Sequence, residues 1–423
     1  MSDSVKLTDD TKIERDRQPR YVWVVMGVLW CMDVMTPLTV FSIGVLLPDW
    51  TRDLAVTPFQ AGLLGSVGFL GFGVMALPSS IWLTRYNPRL VVLLCALGMA
   101  ASISIQAVAT TVGMLLLSRF IFVLFAVSRI QVQIIFLQQW FKPRLYAVAN
   151  SIEFGNRAAG QAASVALVPI LVVLLGGWRM VYLVFAALLV GFSVLWVFLG
   201  RERKAVVHPG ESAAQSGNPI GVLRRHKVLW LVTGSQIGAA MTFASFMTFF
   251  PTYAVEKLGI SLAAVGLLFS LFPVGAIAGA LCAGPLSQWI GKRKPFIWIP
   301  GIVLPVVWFA LLQFDQVPIL IMLLLVGGAC AMAVPPILAT IPLDMGLAPR
   351  EVAVALGLMR TLFPLGATTG PILVGMIEER TGSLELGLMI MAPLALSLFI
   401  AGILLPETGP TGALKVGRST RVN

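Results

Sequence analysis

Long apolar stretches alternate with short polar ones along this chain, and the apolar stretches have membrane length. Residues 90–118, 228–255, 258–291, 295–314 and 316–343 carry no charge at all. A helix needs about 20 mostly apolar residues to cross the hydrocarbon core. Dividing the runs at polar and turn-forming points predicts twelve helices. The first six are Tyr21–Leu47, Pro58–Leu83, Leu90–Ala109, Gly113–Gln139, Ala147–Leu175 and Met180–Gly200. The second six are Val228–Tyr253, Ser261–Trp289, Pro295–Phe314, Val317–Ile341, Val352–Ile377 and Leu384–Leu405. Residues 201–227, with Gly, Pro, Ser and charges, read as an exposed linker. The expected organisation is an all-α membrane protein with a tail (1–20), a six-helix bundle (21–200), the linker, a second six-helix bundle (228–405) and a final tail (406–423).

Composition agrees. Hydrophobic residues make up 58% of the chain and charged residues 12%, about half the charged share of a soluble domain. The net charge of +11 therefore marks loop orientation rather than a nucleic-acid partner. Alternate loops hold most of the Lys and Arg, including Arg85 and Arg89, Lys142 and Arg144, and Lys292, Arg293 and Lys294. The intervening loops hold only Arg52, Arg179, Lys257 and Arg380. This asymmetry predicts cytoplasmic termini in a multi-pass protein of the cytoplasmic membrane. The polar stretch 1–20 leads into an apolar run without a small-residue cleavage pattern, so the first helix is expected to stay as a span.

Enzyme chemistry finds no support. His208 and His226 both fall in the linker, and Cys31, Cys95, Cys282 and Cys330 lie in apolar runs without metal-ligand spacing. No phosphate-cradling Gly-x-x-x-x-Gly-Lys-[Ser/Thr] loop is present. No metal, cofactor or enzymatic activity is expected.

The two halves repeat. At an offset of 204 residues, Ala61–Ser66 falls on Val265–Ser270, Gly71 on Gly275, Ala76-Leu77 on Ala280-Leu281 and Arg89 on Arg293. At 206, Gly160 falls on Gly366. Two copies of six helices in the same orientation form a parallel repeat. The loop after the eighth helix runs from Gly284 through Gln288 to Gly291-Lys292-Arg293, and its counterpart runs from Ser80 through Thr84-Arg85 to Arg89. These resemble the G-x-x-x-D-[RK]-x-G-R-[RK] loops of the major facilitator superfamily, with Thr84 and Gln288 in place of the acidic residue. Arg119 in the fourth helix, Gly177-Trp178-Arg179 before the sixth and Gly370-Pro371 in the eleventh resemble the superfamily too.

The resemblance implies two six-helix bundles that rock around a central cavity, in a monomer. It gives Arg85, Arg89, Gly284, Gly291, Lys292 and Arg293 structural or gating roles. The contact that ties the halves together in the family lacks its carboxylate here. Gly62, Gly65, Gly68, Gly71 and Gly73 suit helices that approach closely and slide.

Six ionisable residues fall inside predicted spans: Asp33, Arg119, Arg129, Glu153, Arg157 and Arg360. Each costs several kcal/mol to insert, so each calls for a partner or a wet cavity. Asp33, in a helix that lines the cavity by resemblance, is the first candidate for proton coupling, with a fixed ion pair as the alternative. Glu153 is the second proton-coupling candidate. It stands one turn from Arg157, at i and i+4, so the two can pair. Glu153 could instead pair with Arg129 and leave Arg157 for substrate. Arg129, flanked by Ser128, Gln131 and Gln133, is a candidate substrate contact, as is the isolated Arg360. Arg119 reads as structural. Four arginines against two carboxylates leave an excess of +2, which suits an anionic substrate, because a guanidinium fork binds both oxygens of a carboxylate. Trp30, Phe243 and Phe246 are candidates for an apolar wall.

The expected function is secondary active transport of a small carboxylate-type organic anion by alternating access, with protons as the co-substrate and lipid as the surrounding partner. The alternative is proton-driven efflux of lipophilic compounds.

Overall fold

The computed structural model describes residues 21–82, 86–141, 146–202, 224–259, 261–345, 347 and 349–409. The first half contains α1 (Tyr21–Phe41), α2 (Ile43–Leu54), α3 (Pro58–Trp82), α4 (Pro88–Ala107), α5 (Val112–Trp140), α6 (Tyr146–Leu175) and α7 (Trp178–Leu199). The second contains α8 (Lys227–Leu258), α9 (Leu262–Phe269), α10 (Leu271–Ile290), α11 (Pro295–Gln313), α12 (Val317–Asp344), α13 (Pro349–Thr381), α14 (Leu384–Met391) and α15 (Leu396–Leu404).

These elements form twelve rods. The first is broken at Ser42, the eighth at Ser270, and the twelfth by a short 3-10 turn at Ala392–Ala395. Turn chemistry sets several ends. The side chains of Asn87, Thr111, Ser261 and Ser383 accept from backbone N–H groups in the first turns of α4, α5, α9 and α14. Gly259 and Gly291 close α8 and α10 in the left-handed conformation, at φ 63° and 75°.

Eleven described stretches are long and apolar enough to cross a membrane. The exception is α13, which corresponds to the eleventh predicted helix. It has ample length at 33 residues, but Arg360 and its threonines dilute the apolar content. It can afford them because it packs against α3 and α8 and does not face lipid all round.

Within the first half, α4 packs on α5 and α7, α3 on α5, and α1 on α6 and α7. Within the second, α10 packs on α12, α13 on α8, and α11 on α12 and α15. The halves meet where α3 touches α13, α6 touches α9 and α10, and α8 touches α2 and α3.

Glycines line that seam, among them one repeat-related pair. A Cβ on Gly62 would collide with the Pro371 carbonyl, and one on its repeat mate Gly266 with the Val165 carbonyl. A Cβ on Gly375 would likewise strike Pro58, and one on Gly65 the Thr248 side chain. These positions lie toward the face opposite the linker. Toward the linker face, Gly155 on α6, Gly284 on α10 and Gly357 on α13 have nothing within 4 Å of a built Cβ. The helices that seal one face are therefore loosely covered at the other.

The loop motifs acquire their acids from elsewhere in the chain. Arg293 donates to Asp344 Oδ2 at 3.0 Å, to Ser287 Oγ at 2.9 Å and to Gln288 Oε1 at 3.3 Å, while its backbone N–H donates to Glu407 at 2.7 Å. In the first half the Arg89 N–H donates to Glu202 at 2.9 Å. Glu202 and Glu407 follow the last helix of their respective halves and play the same part in each. Arg89 and Arg293 thus fasten loops within their own halves. Lys292 is exposed, Gly284 is open and Gly291 is the α10 cap. Arg85 and Thr84 lie outside the described residues.

Candidate functional site

Three helices of the first half bring four charged side chains together. A polar stripe on α6 holds it against α1. Asn156 Nδ2 donates to the Trp30 carbonyl at 2.9 Å and Ser164 Oγ to the Leu38 carbonyl at 2.9 Å, and Gly160 lets the Pro37 ring sit against the α6 backbone. On this stripe Arg157 Nε donates to Asp33 Oδ2 at 3.0 Å, and its Nη2 to Glu153 Oε1 at 2.6 Å. From α5, Arg129 Nη2 donates to Asp33 Oδ1 at 2.5 Å. Arg129 Nη1 donates to Gln133 Oε1 at 2.9 Å and to the Leu29 carbonyl at 3.3 Å.

Asp33 therefore bridges two guanidinium groups, one on each oxygen. Two arginines and two carboxylates sum to zero, which makes burial of all four tolerable where a lone charge is not. Exposure divides them. The side chains of Asp33 and Arg129 are fully buried, Glu153 is 14% exposed and Arg157 33%. Among the described residues Arg129 Nε finds no acceptor, and neither does Gln133 Nε2 beside the quartet or Trp30 Nε1 one turn before Asp33.

Several sequence expectations change here. Glu153 pairs with Arg157 as its i and i+4 spacing suggests, and the alternative pairing of Glu153 with Arg129 does not form. Arg129, expected at the substrate, is sealed behind Asp33 and anchors it. Phe246, expected on an open wall, is fully buried with its ring 4.4 Å from that of Trp308, in the core of the second half. An aromatic stripe on a long helix cannot reveal by itself which face is covered. Phe243 is half-buried beside Phe272 and Phe363, and Trp30 is half-buried.

Arg119 sits apart from the quartet. It donates to the Thr39 and Val40 carbonyls at 3.4 and 3.1 Å and to Tyr182 Oη at 3.2 Å, with its guanidinium 5.2 Å from the Trp50 ring centre. These carbonyls lie in the turn just before the Ser42 break, so the arginine supports a bent rod. At the end of the same bundle opposite the linker, Trp178 Nε1 and Arg179 Nη1 donate to Asp53 Oδ2 at 2.9 and 3.0 Å. The Trp178 bond, aided by Arg179 and Arg52, holds the Asp53 carboxyl below its ordinary range.

Arg360 is exposed and makes no ion pair among the described residues. At 100° per residue it shares a face of α13 with Pro364, Ala367 and Pro371, the face buried against the first half farther from the linker. Arg360 thus stands where that covered face comes free. Among the described residues no group of three or more His, Cys, Asp and Glu could hold a metal ion.

The sequence profile of the Major Facilitator Superfamily matches residues 29–346 and 235–421. The chain belongs to this superfamily. Membership makes it a secondary transporter and not an enzyme. Over 395 residues it is 23% identical to a probable sulfoacetate transporter, SauU, of Cupriavidus necator, covering 88% of this chain and 90% of that one. Over 267 residues it is 22% identical to an uncharacterized Campylobacter jejuni protein, Cj0987c, covering 62% and 81%. Its fold matches a bacterial homologue of the human lysosomal transporter Spinster, in an inward-facing and unoccupied conformation, with a TM-score of 0.74 at 15% identity, covering 95% and 98%. The nucleoside transporter NupG matches with a TM-score of 0.73 at 13% identity, covering 91% and 99%. At such low identity these matches show the architecture alone, and the specificity of this superfamily member has to be read from its own side chains.

Proposed function

We infer that this transporter carries a small organic anion into the cell together with protons. The observation that carries the reading is the Arg157 guanidinium. It is one-third exposed, tethered by carboxylates on two sides, and neighboured by buried donors that lack acceptors. Such a group is held in place and still open to an arriving oxyanion. Arg360, on the other half, supplies a second positive charge at the point where the halves part, so that one anion can be gripped from both sides. The resemblance to a probable sulfoacetate transporter supports the anionic class. The basic linker face is the cytoplasmic one by the distribution of loop charge. On that assignment the seam of Gly62 and Gly266 closes the outside, and the carrier is open inward.

The test is uptake of sulfoacetate and short carboxylates by reconstituted protein. Arg157→Ala and Arg360→Ala each remove a charge-assisted contact of about 1.5–3 kcal/mol, so uptake of the transported anion falls by roughly tenfold to a hundredfold. Arg157→Lys recovers only part of it, because an ammonium cannot replace the fork. Full uptake in Arg157→Ala overturns the reading.

A further inference from the structure

The quartet contains two carboxylates, and their surroundings differ in a way that separates their roles. Asp33 is fully buried and holds a guanidinium on each oxygen. If Arg157 turns away, Asp33 keeps Arg129. Glu153 is more exposed, and its ion pair among the described residues is with Arg157. If Arg157 turns away, Glu153 is left as an unpaired carboxylate inside the membrane.

The charged groups facing Glu153 are few. Among the described residues they are Arg157 on its own helix, Asp33 on α1 and Arg129 on α5, with the Gln133 amide, whose oxygen accepts from Arg129, alongside. The second-half elements packed on α6, α9 and α10, carry no charged side chain. The charges of α2 and α7 stand at the outer end, at Asp49, Arg52, Asp53 and Arg179. Among the described residues, no charged group other than Arg157 and Arg129 stands near enough to compensate Glu153.

Resting on the anion reading above, we propose that Glu153 is the group that couples anion binding to a proton, through competition for Arg157. The anion takes the Arg157 Nη2 donor from Glu153 Oε1. The released carboxylate gains one proton from the aqueous phase, forming an O–H bond, and no other covalent bond changes. The pair lies at i and i+4 on one helix, so it opens by side-chain rotation alone. Charge is conserved within the quartet. Empty, it sums to zero. With one anionic group on Arg157 and Glu153 neutral, it sums to zero again. Both forms can then cross between inward-open and outward-open states with the quartet itself carrying no net charge. Asp33 is the fixed counter-ion that positions both arginines, which reverses the order expected from sequence.

The experiment uses the full-length protein in detergent, with sulfoacetate and a panel of short carboxylates as probes. Binding is read by tryptophan fluorescence, with Trp30 beside the site. Proton uptake is read by an indicator dye in weakly buffered solution. The wild type is expected to take up about one proton per bound anion, and its affinity to fall about tenfold per pH unit above the titration of Glu153. Glu153→Gln is expected to bind with no proton uptake and no pH slope. The wild-type proton count needs no variant, so it decides the matter even if Glu153→Gln fails to fold. Anion binding without proton uptake, or a wild-type slope retained in Glu153→Gln, overturns this inference and leaves the anion reading standing. No binding of any anion by the wild type overturns both.

Discussion

Asp33→Asn is expected to be the most damaging single change inside the membrane. It leaves Arg129 and Arg157 facing one carboxylate, and Arg129 has no route to water. Removing one partner of a buried ion pair costs about 3–5 kcal/mol, since the remaining charge is left uncompensated. Thermal unfolding in detergent should show the loss clearly, and uptake should vanish with it. The double variant Asp33→Asn/Arg129→Leu removes both charges and leaves the Arg157–Glu153 pair neutral. It is expected to regain most of the stability, because neither buried charge is left without its partner, and to remain inactive, because Arg157 has lost one of its two tethers. A double variant as unstable as the sum of its two single changes would show that the pair is not coupled.

Gly62→Val is expected to shift the conformational equilibrium. Its Cβ meets a backbone carbonyl, that of Pro371, which cannot rotate aside as a side chain tip would. Overpacking of this kind costs about 1–3 kcal/mol, which moves a two-state population by roughly fivefold to over a hundredfold. The penalty falls only on the state in which the seam is closed. The expected result is a shorter distance between spin labels at Leu90 and Lys292, which lie on the linker face of opposite halves. Gly266→Val, at the repeat-related position against Val165, should act in the same direction. Gly71→Val is the contrast. It presses on Val123 within one half, so it should lower stability without changing the label distance. Unchanged distances in Gly62→Val would show that the seam does not set the state.

Much of this architecture is legible in the sequence because a membrane leaves so few options. Backbone groups in lipid must be satisfied within the segment, so an uncharged run such as 295–314 can hardly be anything but a helix. Its limits are less legible. α2 runs on to Leu54, and α13 extends beyond Val352–Ile377 at both ends, because loop-facing turns need no apolar residues. The Glu153–Arg157 pair is visible from its spacing alone. The Asp33–Arg129 pair is not, since 96 positions separate the partners and only the packing of α1 on α5 brings them together. The choice between Arg129 and Arg157 as the open arginine also depends on that packing. Glu202 and Glu407 could have been found from the repeat. They follow the last helix of each half, and Arg89 and Arg293, their partners, already align.

The most direct test of the central claim is made in proteoliposomes with a pH dye inside and anions added outside. Proton-coupled anion import predicts that one class of anion, sulfoacetate or a short carboxylate, acidifies the lumen, and that Arg157→Ala slows the response by roughly tenfold to a hundredfold. No response to any anion, together with alkalinisation of acid-loaded vesicles on adding lipophilic cations, would contradict the account and identify an exporter instead.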